Sequence, residues 1–189
     1  MKRFILLLFV VTSLQNYSQD VIFSQNFLVP ETLNSSFTGA LRSTKTGAVS
    51  RSQWRNSALK TTSNFAFIDS WFEGFKSGLG VSFLNQKESG SSYTFNQVNL
   101  NFAMAFEISD TWYFRPSISA GLGTKNYGFQ NLLLEDQIDV NNNIINTASI
   151  DPTLLRAQRS FLDFSTSVLF NNEDSWVGLT LKHLNKPNI

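Results

Sequence analysis

The sequence predicts an all-β fold, an antiparallel up-and-down outer-membrane β-barrel. Three observations carry that expectation. The chain opens with an export signal, no later stretch approaches the roughly 20 apolar residues of a transmembrane helix, and residues 93–107 alternate strictly between two solvents. In that stretch Val98, Leu100, Phe102, Met104 and Phe106 fall on one face, and Gln97, Asn99, Asn101, Ala103 and Ala105 on the other. At roughly 3.3 Å per residue the apolar stripe is about 26 Å long, and a tilt of about 40° still leaves most of the height of an outer-membrane apolar band.

The elements follow in chain order. Lys2 and Arg3 precede an apolar run at 4–11 and a more polar stretch at 12–18, the layout of a secretory signal peptide cleaved between Ser18 and Gln19. An N-terminal membrane anchor fits less well, because the run is too short to span a bilayer as a helix. Residues 19–46 are then expected to form an N-terminal periplasmic segment and turn motif, and residues 47–189 a partial transmembrane barrel. Its strands are predicted over 47–55, 60–69, 77–87, 93–107, 111–125, 159–170 and 175–184.

The strands after 107 repeat the alternation less cleanly. Trp112, Phe114, Ile118, Ala120 and Leu122 oppose Tyr113, Arg115, Ser117, Ser119 and Gly121. Leu162, Phe164, Val168 and Phe170 oppose Asp163, Ser165 and Ser167, and Val177, Leu179 and Leu181 oppose Gly178, Thr180 and Lys182. Pro116 cannot donate a ladder hydrogen bond, so a bulge or local break is expected there. The connections alternate too. Tight turns at 108–110 and 171–174 belong to one end, and the longer segments at 88–92 and 126–158 to the other, which matches short periplasmic turns and long extracellular loops. Trp71, Phe72, Phe75, Trp112 and Tyr113 at the short-turn end are candidates for an interfacial aromatic girdle; the alternative is turn aromatics packed on a soluble core.

Composition excludes several classes. The chain is 42% hydrophobic and 14% aromatic with 18 phenylalanines, so a membrane span must be made of strands. A net charge of +1 argues for neither a nucleic-acid nor an anionic partner, and the absence of cysteine removes disulfides and thiolate metal sites. His183, the only histidine, has no nucleophile placed beside it by motif and fits a rim or turn hydrogen bond better than general-base catalysis. Gly121, Gly123 and Gly128 lack the Lys-Ser/Thr of a phosphate loop, and Glu135, Asp136 and Asp139 lack EF-hand spacing. No enzyme activity, cofactor or metal is expected.

Several ordered motifs carry a resemblance. Gln19-Asp20-Val21-Ile22-Phe23-Ser24-Gln25-Asn26-Phe27 leads to Leu33-Asn34-Ser35-Ser36-Phe37-Thr38-Gly39 and then Arg51-Ser52-Gln53-Trp54. Leu134-Glu135-Asp136-Gln137-Ile138-Asp139, Val177-Gly178-Leu179-Thr180 and His183-Leu184-Asn185-Lys186-Pro187 follow. Together these resemble the PorP/SprF family of Bacteroidetes outer-membrane proteins. The resemblance implies a non-enzymatic barrel of the type IX secretion system, linked in some members to gliding motility. Such a barrel receives secreted proteins, large adhesins among them, through their C-terminal sorting domains and holds them at the cell surface. Its implied partners are outer-membrane lipid, that cargo and other secretion components.

Asn34, Gly39, Arg51, Gln53, Trp54, His183 and Pro187 are the family-motif residues, structural or docking in role. The chain departs from the family in having Asn34-Ser35 where Asn-Pro is usual, and in being shorter; seven strands are odd where bacterial barrels are even, so the N-terminal part of a larger barrel is expected. Arg51, Gln53, Arg115 and Lys182 fit either an internal polar network with Asp163 or a docking surface. A general porin and a soluble periplasmic β-sandwich remain as alternatives, the latter because it also buries one face and wets the other.

Overall fold

The computed structural model describes residues 20–57, 59–128, 133–139, 144–146, 149–151 and 157–185. Long strands form in the register their alternation dictates: β1 (Lys45–Gln53), β2 (Thr61–Phe72), β3 (Ser77–Glu88), β4 (Thr94–Met104), the short β5 (Phe106–Glu107) and β6 (Tyr113–Asn126). A separate small hairpin, β7 (Ile138–Asp139) with β8 (Ile144–Ile145), lies in the long connection; β9 (Gln158–Asn171) and β10 (Trp176–Leu181) complete the sheet. Every neighbouring pair is antiparallel, in the order β1-β2-β3-β4-β6-β9-β10, with β5 continuing β4 against β6. All seven predicted strands are present within a few residues of their expected ends. The sheet curls into a half-barrel wall with β1 and β10 at its two edges.

Pro116 produces the local break and no bulge. β4 pairs β6 as far as Ala103↔Ser117 and β5 resumes at Phe106↔Phe114, so the register is conserved across an interruption opposite the proline. On the other side β6 pairs β9 without a gap, Pro116 facing Val168.

The outer face is apolar in the middle and polar at one limit. Val98, Leu100, Leu122, Ile118, Leu162 and Leu179 are all exposed on it. At the long-loop end a side-chain ladder crosses four strands: Ser50 donates to Asn64 (2.7 Å), Asn64 to Asn85 (3.2 Å) and Asn85 to Asn96 (2.8 Å). From Asn96 to Phe106 the strand advances about 33 Å, which at a tilt of about 40° is about 25 Å of height, the thickness of a lipid-facing band. The ladder ends the apolar stretch of the outer face at the long-loop end.

Residues 20–44, which include the segment expected to lead in from the periplasm, lie against the concave face. Phe23 and Val29 are buried there on Phe65 and Phe67 of β2, with Val21, Val49 and Leu84 packed around them. β2 is therefore apolar on its inner side over these two residues, where the outer-face pattern would have put polar groups. The core is made by the strap and the wall together.

Candidate functional site

The residues singled out from the sequence converge on this strap and its seat. After the turn at Pro30–Thr32, Asn34 caps a short 3-10 turn (Ser35–Phe37), its side-chain oxygen accepting from Ser36 N at 2.8 Å. The Asn34 amide donates onward to Val168 O in β9 at 3.0 Å, so one side chain both ends the turn and pins it to the wall. This is why Asn at 34 tolerates Ser rather than Pro at 35: the turn is fixed by the cap, not by a ring.

The next residues are held by a dense set of hydrogen bonds, with Phe37 packed edge-on against Trp176 of β10 at 5.2 Å. The Ser35 hydroxyl lies 2.8 Å from Ser117 and 3.1 Å from Ser167, and the Ser36 hydroxyl 2.8 Å from Ser117. Arg115, 3% exposed, donates from Nε to Ser36 O (3.0 Å) and from Nη2 to Thr38 O (2.9 Å). A guanidinium suits the task because its fixed fork reaches two carbonyls that a sheet face could not otherwise satisfy. Gly39 donates its N–H to Asp69 at 2.8 Å and takes φ +67, and a Cβ on it would stand 2.6 Å from Gly78 Cα. Glycine is needed at both positions because two backbones meet there.

A second cluster ties the start of the strap to the far edge. His183 follows β10 in a left-handed turn (φ 56); its Nδ1 lies 2.9 Å from Asp163 Oδ1 and its Nε2 3.0 Å from Asp20 Oδ1. Lys182 Nζ pairs with the other Asp20 oxygen at 2.9 Å, and Gln97 donates to Asp163 at 3.2 Å. The Asp163 hydrogen bond, then that of Asp20, raises His183 to about 9 against its desolvation. The His183 hydrogen bond holds Asp20 well below the ordinary carboxylate range, with Lys182 adding to it against the cost of burial. Glu31 runs the other way: burial pushes its carboxyl up although Lys45 Nζ sits 3.0 Å away.

Arg51 donates from a guanidinium nitrogen to Ile22 O and holds the strap at the β1 edge. Gln53 ends β1, and Trp54 follows it, 63% exposed, at the long-loop end and away from the strap. Pro187 lies outside the described residues. The girdle candidates divide: Phe72, Phe75 and Trp112 are exposed, whereas Trp71 and Tyr113 turn inward, with Arg42 5.9 Å and 5.0 Å from their ring centres and Arg115 5.6 Å from Trp71. Sequence reasoning missed Asp69, Asp20 and the inner phenylalanines as parts of the seat. The signal for Asp69 was present, since a carboxylate on a strand of phenylalanines needs a donor.

Among the described residues no cluster of histidine and carboxylates has metal-binding geometry. The family described as type IX secretion system membrane protein PorP/SprF matches residues 15–189. Neither the curated proteins nor the solved structures give a match.

Proposed function

Since the chain belongs to the PorP/SprF family of type IX secretion system membrane proteins, we propose that it serves in the outer membrane as a non-enzymatic receiver that takes secreted proteins by their C-terminal sorting domains and anchors them at the cell surface. Residues 1–18 act as the export signal, residues 20–44 as the strap on the concave face, and the wall from β1 onward as the membrane part. Asn34, Gly39, Arg51 and His183 fix the strap, whereas Gln53 and Trp54 stand apart from it at the long-loop end.

The observation that carries this reading is the occupied concave face. A conduit for solutes needs open space along the wall, whereas here Phe23, Val29 and residues 34–39 are packed and hydrogen-bonded against β2, β6 and β9. The one histidine supports the non-enzymatic part. Both its nitrogens are engaged by carboxylates, which favours the imidazolium, and an imidazolium has no lone pair with which to act as a base.

Deleting the gene is expected to remove one or a few secreted proteins from the cell surface while general export continues. Surface proteomics of the deletion strain checks this, and unchanged display of every substrate would refute it. Reconstituted full-length protein is expected to give no solute flux; a steady flux in liposomes would favour the porin reading.

A further inference from the structure

The amide ladder on the outer face has a direction, and its last donor is unspent. Ser50 donates to Asn64, Asn64 to Asn85 and Asn85 to Asn96, so each side-chain amide gives its N–H to the carbonyl on the next strand. Asn96 accepts through Oδ1, and among the described residues its Nδ2 has no acceptor. Amides aligned in a chain polarise one another, which makes the terminal N–H a better donor than that of an isolated amide. The register carries the same row on to Thr124 of β6 and Ser160 of β9, whose hydroxyls make no hydrogen bond to a described residue. On these three strands the next row toward the apolar stretch is Val98, Leu122 and Leu162, all exposed. A groove of about 510 Å³ is lined by the two rows and by the residues between them. The row beyond the polar one is Thr94, Asn126 and Gln158, so no charged side chain of these strands faces outward there.

We propose that this groove binds one acylated lipid of the membrane. The acyl chain lies on Val98, Leu122 and Leu162, and the ester or amide carbonyl that links chain to headgroup accepts from Asn96 Nδ2. Location, polarity and charge together select that occupant. The groove opens on the face that the wall of a type IX secretion membrane protein turns to the bilayer, so the molecule that reaches it carries hydrocarbon. The free group is a donor at the edge of an apolar surface, where leaving it unpaired is costly, so the ligand must bring an acceptor. No cation stands beside it, so the acceptor is a neutral carbonyl rather than a phosphate, which would call for lysine or arginine. The head of an acyl chain meets all of these requirements in one molecule. The Thr124 and Ser160 hydroxyls, able to donate or accept, serve the oxygens next to that carbonyl. The site does not depend on the cargo-receiving function proposed above.

The test is native mass spectrometry of the full-length protein released from detergent containing dioleoyl phosphatidylethanolamine, compared with the dialkyl ether analogue, which keeps the headgroup and chains and lacks the carbonyls. One ester lipid is expected to stay on the protein under activation that strips the rest, and the ether analogue to be retained about tenfold less. Asn96→Leu, which keeps the surface apolar and removes the donor, is expected to bring the ester lipid down to the ether level and so erase the difference. Ser50→Ala, at the far end of the ladder, is expected to preserve it. Equal retention of the two lipids by the unaltered protein would mean an ordinary lipid annulus and would overturn the site, and that comparison needs no variant to fold. Undiminished preference for the ester lipid in Asn96→Leu would overturn it as well, because the carbonyl would then be read elsewhere.

Discussion

The same strap meets two halves of one wall by opposite chemistry. Against β2 it presents Phe23 and Val29 to Phe65 and Phe67, and the contact is packing. Against β6 and β9 it presents carbonyls and hydroxyls to Arg115, Ser117 and Ser167, and the contact is hydrogen bonding. Packing is proportional to area and tolerates a change of shape if the volume is kept. A buried polar contact is all or nothing, since removing one partner leaves the other without water or protein to satisfy it. The first half sets how tightly the strap is held, and the second sets where it sits.

The largest effect is expected at the packed half. Phe67→Ala should cost about 3–5 kcal/mol and Phe67→Leu much less, measured as the urea midpoint of the full-length protein in detergent. Equal cost for the two would mean that shape, not volume, governs that half. The outer face gives the contrast between lipid and strap: Leu100→Arg should cost about 2–4 kcal/mol near the bilayer midplane, and arginine at Asn99 on the inner face should cost less. Equal tolerance at the two positions in a membrane-insertion assay would contradict the register.

At the hydrogen-bonded half, Arg115→Met should cost about 1–3 kcal/mol by orphaning the Ser36 and Thr38 carbonyls. It should also open residues 34–39 to protease, which Phe67→Leu should not do. Limited proteolysis with N-terminal mapping separates the two, and protection of that segment in Arg115→Met would show that packing alone positions it.

The smallest effect concerns the latch at the start of the strap. His183 is raised from 6.5 to about 9, so the stability it contributes is complete below 6.5 and is lost as the pH rises through about 9. Asp20 is depressed, so its contribution is present above the ordinary aspartate value of 3.8 and is lost as the pH falls through its lowered value. Proteolysis near residue 20 is expected to be slow at pH 7 and faster at pH 10, and in Asp20→Asn to be faster already at pH 7. A flat profile between pH 7 and pH 10 would remove His183 from the latch.

Much of the wall was legible because a β-strand writes its two environments into alternate residues. Thr94–Met104 shows this best, with Gln97 and Asn101 buried and Val98 and Leu100 exposed as their parity requires. The site was legible only in part. Asn34, Gly39 and His183 stood out as motif residues, but the partners that give them meaning, Val168, Gly78 and Asp20, lie far away in sequence. Phe65 and Phe67 fit a strand pattern, and nothing local says that their side chains meet a strap rather than lipid.

By itself the sequence determined the seven long strands of the wall to within a few residues of their ends, their order in the meander and which residues share a face, because those depend on period, turn length and the solvent each face requires. Only the tertiary structure decided what fills the concave side. That depends on contacts between Phe23 and Phe65, Thr38 and Arg115, and Asp20 and His183. Such contacts form when the sheet curls and brings β2, β6 and the end of β10 around the same segment, and curvature is a property of the assembled wall that no local stretch of residues records.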